Sequence, residues 1–129
     1  MVTVSIIIGS TSDLEIAKKT EKTLDELNIT FETQVLSAHR DPQKLDAYIA
    51  SSNAKLFIAI AGLAAHLPGY VASRTARPVI GVPVNKALGG LDSLLSIAQM
   101  PRGVPVAVVG IGAAENAAYL AKRILDLAK

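Results

Sequence analysis

Apolar and polar positions along the chain switch repeatedly between two periods, which predicts alternating strands and helices. Residues 2–8 are mainly β-branched and apolar and end at Gly9, as expected for a strand buried on both faces. From Ser12 the spacing becomes helical, and four residues share one face of the predicted helix: Ala17, Thr20, Leu24 and Leu27. Ser12 or Asp13 is the predicted N-cap of this helix.

The same switch is repeated along the rest of the chain. Further strands are predicted over residues 29–36, 55–60, 79–82 and 105–109, and further helices over about 42–51, 65–75 and 92–99. Asp41 and Pro42 predict the start of the second helix, because Asp favours the cap and Pro the first helical position. A last helix follows Gly112, and its predicted inward stripe consists of Ala117, Leu120, Ile124 and Leu127.

Strands that alternate with helices predict βαβ units, and therefore a parallel sheet covered by helices on both faces. The polar alternation of residues 29–36 predicts a strand near an edge, whereas the strongly hydrophobic residues 55–60 predict a central strand. The predicted fold class is α/β, with three layers around a central, mostly five-stranded parallel sheet. No linker or repeat divides residues 1–129, so we expect a single domain.

Composition narrows the range of partners. Half of the residues are hydrophobic and 19% are charged, which is typical of a globular chain. The net charge is +2, the basic residues are scattered and aromatic residues make up only 4%, so we expect no nucleic-acid partner. The chain has no cysteine and only two histidines, which argues against a metal site. No signal peptide or membrane-spanning run is recognised, and we expect a cytoplasmic protein without a membrane partner.

Three predicted strands end in polar turns, at residues 9–13, 37–40 and 61–66. In a parallel sheet these turns share one edge, where ligands bind and helix N-termini favour anions. The hydroxyls of residues 10–12 and the guanidinium of Arg40 are suitable donors to phosphate, and Asp13 is an acceptor for sugar hydroxyls. The turns therefore predict one pocket for a phosphorylated small molecule. The alternative is that Ser12 and Asp13 only cap a helix.

The two histidines are candidates for acid–base chemistry, since imidazole titrates near 6.5 in model peptides. His39 lies in the second turn and His66 at the end of the third. A surface histidine remains the alternative for His39, and a histidine packed against the sheet remains equally open for His66.

Five segments occur together in one order and cover nearly the whole chain. They are GSTSD at 9–13, SAHRDP at 37–42, AAHLPG at 64–69, PVIGVPV at 78–84, and GLDSLLS at 90–96 followed by QMP at 99–101. Together they resemble the class I phosphoribosylaminoimidazole carboxylase catalytic subunit, PurE. This is the N5-carboxyaminoimidazole ribonucleotide mutase family of purine biosynthesis.

The resemblance implies a flavodoxin-like three-layer fold, a homo-oligomer that is usually an octamer, and no metal or organic cofactor. His39 would be the general acid–base catalyst. The implied substrate-binding residues are Ser10, Ser12, Asp13, Ser37, Arg40, Gly62, Ala64, His66 and Leu67, of which Ser10, Asp13 and Arg40 would bind the ribose phosphate. The substrate would be N5-carboxyaminoimidazole ribonucleotide and the product 4-carboxyaminoimidazole ribonucleotide, formed by decarboxylation and recarboxylation.

The chain also departs from the family pattern. Leu63 stands where many members have glycine, and members usually continue into a C-terminal helical extension beyond the position of Lys129. We therefore expect a PurE-like domain over residues 1–129 without that extension. Two alternatives remain open, a carboxylase that adds CO2 directly to aminoimidazole ribonucleotide and a non-catalytic ribonucleotide-binding module.

Overall fold

The computed structural model describes residues 2–129 as one sheet flanked by helices. The strands are β1 Val4–Ile8, β2 Phe31–Val35, β3 Leu56–Gly62, β4 Val79–Val84 and β5 Ala107–Val108. The helices are α1 Leu14–Glu26, α2 Pro42–Ser51, α3 His66–Arg74, α4 Leu91–Ala98 and α5 Ala114–Asp126. Short 3-10 turns, Thr11–Asp13 and Leu88–Gly90, precede α1 and α4. The predicted alternation of strands and helices is confirmed.

All neighbouring strands are parallel, in the order β2-β1-β3-β4-β5. The predictions for the edge strand β2 and the central strand β3 are therefore confirmed. From β1 the chain first adds β2 on one side and then β3 on the other. The order reverses between β1 and β3, and their carboxyl ends form the crevice in which such folds bind ligands.

The core has two parts, one on each face of the sheet. On one face, α1 and α5 cover side chains of β1, β3 and β4, and small residues of α5 allow close packing: Ala117, Ala118 and Ala121. On the other face, α2, α3 and α4 bury a second cluster around Phe57. The three layers hold the carboxyl ends of the strands at one edge. No helix within residues 2–129 combines the length and apolarity needed to cross a bilayer.

Two predicted details are wrong at the ends of elements. Leu127 lies beyond α5 and is 87% exposed, because the helix ends at Asp126 before its stripe reaches that position. The fifth strand is only two residues long, and its residues are not fully buried. Ser10 caps the short 3-10 turn that precedes α1, and its Oγ accepts the backbone N–H of Ser12.

The N-cap positions predicted at Asp13 for α1 and at Asp41 for α2 are confirmed. Asp13 and Asp41 occupy the N-cap positions, but neither makes a side-chain capping hydrogen bond. Pro42 is at the start of α2, as predicted. The carboxylate of Asp13 is directed elsewhere, to the crevice described below.

Candidate active site

A small cleft of about 120 Å³ lies at the carboxyl ends of the strands. Its lining comes from residues 37–39, 60–62 and 64–67, together with Gly9, Asp13 and Lys86. These residues follow or end β1, β2, β3 and β4, so four successive strands contribute to one site. Larger depressions exist elsewhere on the surface, but they contain neither histidine.

The two histidines of the chain face each other in this cleft. Nε2 of His39 lies 2.7 Å from Nδ1 of His66, and the rings meet edge to face with centroids 4.8 Å apart. The loop that carries His39 is fixed by Ser37, whose Oγ accepts the backbone N–H groups of His39 and Arg40. His66 is the first residue of α3, so helix packing sets its position. The fold thus brings together two imidazoles that are 27 residues apart in sequence.

This arrangement suits proton transfer. At 2.7 Å one nitrogen donates and the other accepts, so the pair holds one hydrogen between two rings. Both side chains belong to exposed residues, which leaves them accessible to a ligand. Among residues 2–129, no three His, Cys, Asp or Glu side chains converge into a group that could hold a metal ion.

An ion pair forms a second feature of the cleft. Nζ of Lys86 lies 3.0 Å from Oδ1 of Asp13 and donates a hydrogen bond to Oγ of Ser12 at 3.2 Å. Asp13 is only 4% exposed. Its Oδ1 accepts no hydrogen bond within the described part of the chain, because the ammonium is close to it but not aligned for one. A buried carboxylate oxygen beside the cleft therefore has a charged neighbour and unused acceptor capacity.

The stem of this lysine crosses the backbone at the end of β3. A Cβ at Gly62 would lie 2.9 Å from Cδ of Lys86, so a larger residue here would displace the lysine stem. The next residue, Leu63, has φ of 57°, in the left-handed region that strains a branched side chain. This is the position at which the sequence departs from the glycine of the PurE pattern.

Seven of the ten residues predicted for the site line the cleft: Asp13, Ser37, His39, Gly62, Ala64, His66 and Leu67. Ser10, Ser12 and Arg40 do not line it. Ser12 is connected to the lining through Lys86, whereas Arg40 is an exposed residue of the His39 loop. The roles assigned to all ten residues remain predictions.

Lys86 is the charged residue of the lining that was not predicted from the sequence. It follows β4, the fourth strand to end at this edge, while only three strand ends were considered. The rule that places ligands at the carboxyl ends of parallel strands applies equally to β4. Its polar loop, Asn85-Lys86, was therefore a usable signal.

Comparisons with known proteins bear on the family and the fold of this chain. The family model described as AIR carboxylase matches residues 3–129. An N5-carboxyaminoimidazole ribonucleotide mutase from Methanocaldococcus jannaschii is 57% identical over 124 residues, which cover 96% of this chain and 79% of the relative. A protein of the same name from Bacillus subtilis is 55% identical over 129 residues, covering 95% of this chain and 80% of the relative. Among solved structures, Treponema denticola PurE matches with a TM-score of 0.87 and 32% identity, covering 100% of this chain and 83% of that one.

Proposed function

Because this chain belongs to the AIR carboxylase family, we propose that it is an N5-carboxyaminoimidazole ribonucleotide mutase of purine biosynthesis. Relatives at 57% and 55% identity carry that name. The observation that carries the proposal is the contact between His39 and His66, 2.7 Å apart in a cleft at the switch point of the sheet. A rearrangement that moves one carboxyl group needs a side chain that first donates a proton as an acid and then accepts one as a base.

In the first proposed step, protonated His39 donates its proton to the carbamate nitrogen of the substrate. The bond between that nitrogen and the carboxyl carbon breaks, and its electron pair remains on nitrogen. The products of this step are CO2, aminoimidazole ribonucleotide and neutral His39. His66 acts as a positioning residue, because its Nδ1 fixes the orientation of the His39 ring.

In the second step, carbon 4 of the aminoimidazole attacks the CO2 and forms a carbon–carbon bond. His39 then removes the proton from carbon 4, which restores the aromatic ring and the protonated imidazole. Substrate and product are isomers, so no proton, electron or carbon is gained or lost over the cycle. A single base is sufficient, because the proton that His39 gives up is replaced by the one it takes.

The lining of the cleft suits a CO2 intermediate. Apart from the ionic and imidazole groups, it consists largely of small or apolar residues: Ala38, Ile60, Ala61, Gly62, Ala64, Ala65 and Leu67. Ile60 and Ala65 are essentially inaccessible to solvent. An apolar wall limits hydration and escape of CO2 before carbon 4 can capture it.

The ribose phosphate is assigned to the turn between β1 and α1. Ser10 and Ser12 present hydroxyls at a helix start, a location that favours an anion. Asp13 lines the cleft beside this turn, and its carboxylate is suited to accept a hydrogen bond from a ribose hydroxyl. Arg40 would reach the phosphate from the adjacent loop, and Ser37 supports that loop.

Direct carboxylation is the second candidate, because the family model itself is described as AIR carboxylase. The two reactions are separated by turnover of two substrates. We expect conversion of N5-carboxyaminoimidazole ribonucleotide in buffer depleted of bicarbonate. Turnover of aminoimidazole ribonucleotide only at high bicarbonate would favour the carboxylase, and binding of either nucleotide without turnover would favour a non-catalytic module.

A homo-oligomer is supported by exposed apolar side chains beside the site. Leu88, Leu91 and Leu95 are 78%, 52% and 45% exposed at spacings of three and four residues, and Ile111 lies against the same turn. Such a stripe is typical of a surface that a second copy covers. Light scattering should give a mass several times that of one chain, and Leu95→Lys should lower it more than Leu127→Lys at an exposed leucine outside the stripe. The cytoplasmic location and the octamer expected from the sequence remain predictions.

A further inference from the structure

Lys86 has no role in the mechanism above, although its ammonium lies in the cleft. We propose that Lys86 is a substrate-binding residue whose ammonium pairs with an anionic group of the ribonucleotide. The inference rests on the proposed function, since it concerns the substrate of that same site. Three observations carry it: the charges of the lining, the way in which the lysine is held, and its unused bonding capacity.

An anionic substrate in this cleft would need a positive charge in the lining, because the lining also contains a carboxylate. Lys86 is the sole lysine or arginine among the residues that line the cleft, and Asp13 is the sole carboxylate. The proposed substrate carries a phosphate and a carboxylate. Without Lys86, these anions would meet the buried negative charge of Asp13 with no compensating charge in the lining. Arg40, which would reach the phosphate from the adjacent loop, lies outside the lining.

The lysine is held in place before any ligand arrives. Its stem passes over Gly62, where a Cβ would come within 2.9 Å of Cδ. Its ammonium is positioned by Asp13 and Ser12 at 3.0 and 3.2 Å. A lysine side chain that is ordered in the free protein loses less conformational entropy on binding than a mobile one.

The ammonium also retains bonding capacity. An ammonium has three N–H donors, and the two named contacts use at most two of them. The side chain is 32% exposed, so a ligand in the cleft has access to it. The contact with Ser12 places the charge beside the turn assigned to the phosphate, while the cleft itself holds the carboxylate. Either anion satisfies the same chemistry.

The test compares Lys86→Gln, which removes the charge but keeps a donor for Asp13 and Ser12, with Lys86→Arg, which keeps the charge. Lys18→Met, at an exposed position on α1, controls for the change in net charge. We expect Lys86→Gln to raise KM about 10–100-fold with kcat within about threefold, and Lys86→Arg to recover most of the loss. Lys18→Met should resemble the wild type. Lys86→Met serves as a second variant, and circular dichroism reports whether each variant is folded.

Truncated ligands identify the anion. If Lys86 binds phosphate, its loss should not affect binding of the dephosphorylated nucleoside, and affinity for ribose 5-phosphate should fall. If it binds the carboxylate, affinity for aminoimidazole ribonucleotide should be unchanged, while affinity for 4-carboxyaminoimidazole ribonucleotide falls. The inference would be overturned if folded Lys86→Gln and the wild type bound every ligand with equal affinity. It would also be overturned if Lys86→Gln lost affinity uniformly, including for ligands that carry neither the phosphate nor the carboxylate. Turnover by the wild type distinguishes failure of the proposed function from failure of this inference. If the wild type shows no turnover, the proposed function is contradicted. If the wild type turns over normally and substitution of Lys86 has no effect, this inference alone is contradicted.

Discussion

Strand β4 has a cation near each end, and the protein holds the two cations in opposite ways. Arg77 lies two residues before the strand and Lys86 two residues after it. The guanidinium of Arg77 donates several hydrogen bonds to backbone carbonyls. Lys86 bridges two side chains of a cleft and leaves one carboxylate oxygen without a hydrogen bond.

At the amino end, Arg77 ties the end of α2 to the start of β3. Its guanidinium donates 2.8 Å hydrogen bonds to the carbonyls of Ile49, Ser52 and Ala54. It also lies over the ring of Phe57, 4.7 Å from the centroid. Two of these carbonyls are near the C-terminus of a helix, where a cation is favoured by the dipole. The contacts are short and directed mainly at the backbone, as expected for a residue that maintains the fold.

At the carboxyl end, the groups remain exposed or only partly satisfied. His39 and His66 are accessible, Asp13 has unused acceptor capacity, and Leu63 has a left-handed backbone. The exposed imidazoles are available to a ligand, whereas strain and unpaired atoms reduce stability. The comparison indicates that one end of the sheet contributes stability and the other end contributes chemistry. Mutations at the two ends should therefore separate the two properties.

The largest effect is expected for His39→Asn. Loss of the proposed acid–base catalyst should lower kcat by about 10²–10⁴-fold, while nucleotide affinity stays within about tenfold. The free energy of unfolding should change by no more than about 0.5 kcal/mol, because the residue is exposed. Steady-state kinetics and urea unfolding measure the two quantities. Full activity in this variant would show that His39 is not the base.

Arg77→Met should instead lower the stability of the fold and leave the activity of the folded protein unchanged. Removal of the guanidinium leaves three carbonyls without its donors and should cost about 2–4 kcal/mol of unfolding free energy. Arg74→Met is the matched control, since Arg74 is an exposed residue in a surface ion pair, and it should cost less than about 1 kcal/mol. Activity per folded molecule should be retained in both variants. Comparable stability losses at positions 74 and 77 would contradict the structural role of Arg77.

A smaller and pH-dependent effect is expected at Tyr48. Its hydroxyl donates to Glu32 and is 2.6 Å from Oγ of Ser5. Burial, followed by the bond to Glu32, raises the pKa of Tyr48 from 10.0 to about 12. Since the folded-state pKa is the higher one, this contribution to stability is complete below about pH 10 and is lost as pH rises through about 12. Tyr48→Phe should cost about 1 kcal/mol at neutral pH and weaken the alkaline loss, as measured by urea unfolding across that range.

The smallest effect, and one of opposite sign, is expected for Leu63→Gly. Glycine adopts φ near 57° without strain, and half of the leucine side chain is already exposed. The substitution should raise the unfolding free energy by about 0.5–1 kcal/mol, after allowance for the greater freedom of glycine in the unfolded chain. Leu88→Gly offers a comparison at another left-handed leucine. A clear destabilisation by Leu63→Gly would mean that the leucine side chain contributes to packing at the site.

The sequence predicted the sheet well because burial on both faces leaves a distinct pattern. The run at Val4–Ile8 and the hydrophobic β3 could be assigned from composition alone, and the polar turns after them indicated the functional edge. Periodicity wrongly predicted that Leu127 is buried, because the helical spacing of apolar residues continues in the sequence after the helix itself has ended. Element ends depend on local hydrogen bonds, which the period of the side chains does not encode.

The pairings across the site could not be predicted in the same way. The contact of His39 with His66 and that of Lys86 with Asp13 join residues 27 and 73 positions apart, so they depend on how separate loops meet. The same applies to Arg77, whose guanidinium reaches carbonyls that carry no sequence signal. For His66, periodicity gave no means to choose between a packed and a functional histidine. The geometry places it against His39, and its role is now a testable proposal.

The most direct test of the central claim follows the carboxyl carbon itself. The substrate would carry ¹³C in its carbamate carboxyl group and react in a single turnover with excess enzyme in unlabelled bicarbonate. We predict that the label appears in the carboxylate on carbon 4 of the product, because CO2 is recaptured in the cleft before it exchanges with solvent. A product whose carboxylate is unlabelled would contradict the account and assign the carboxyl group to bicarbonate in solution.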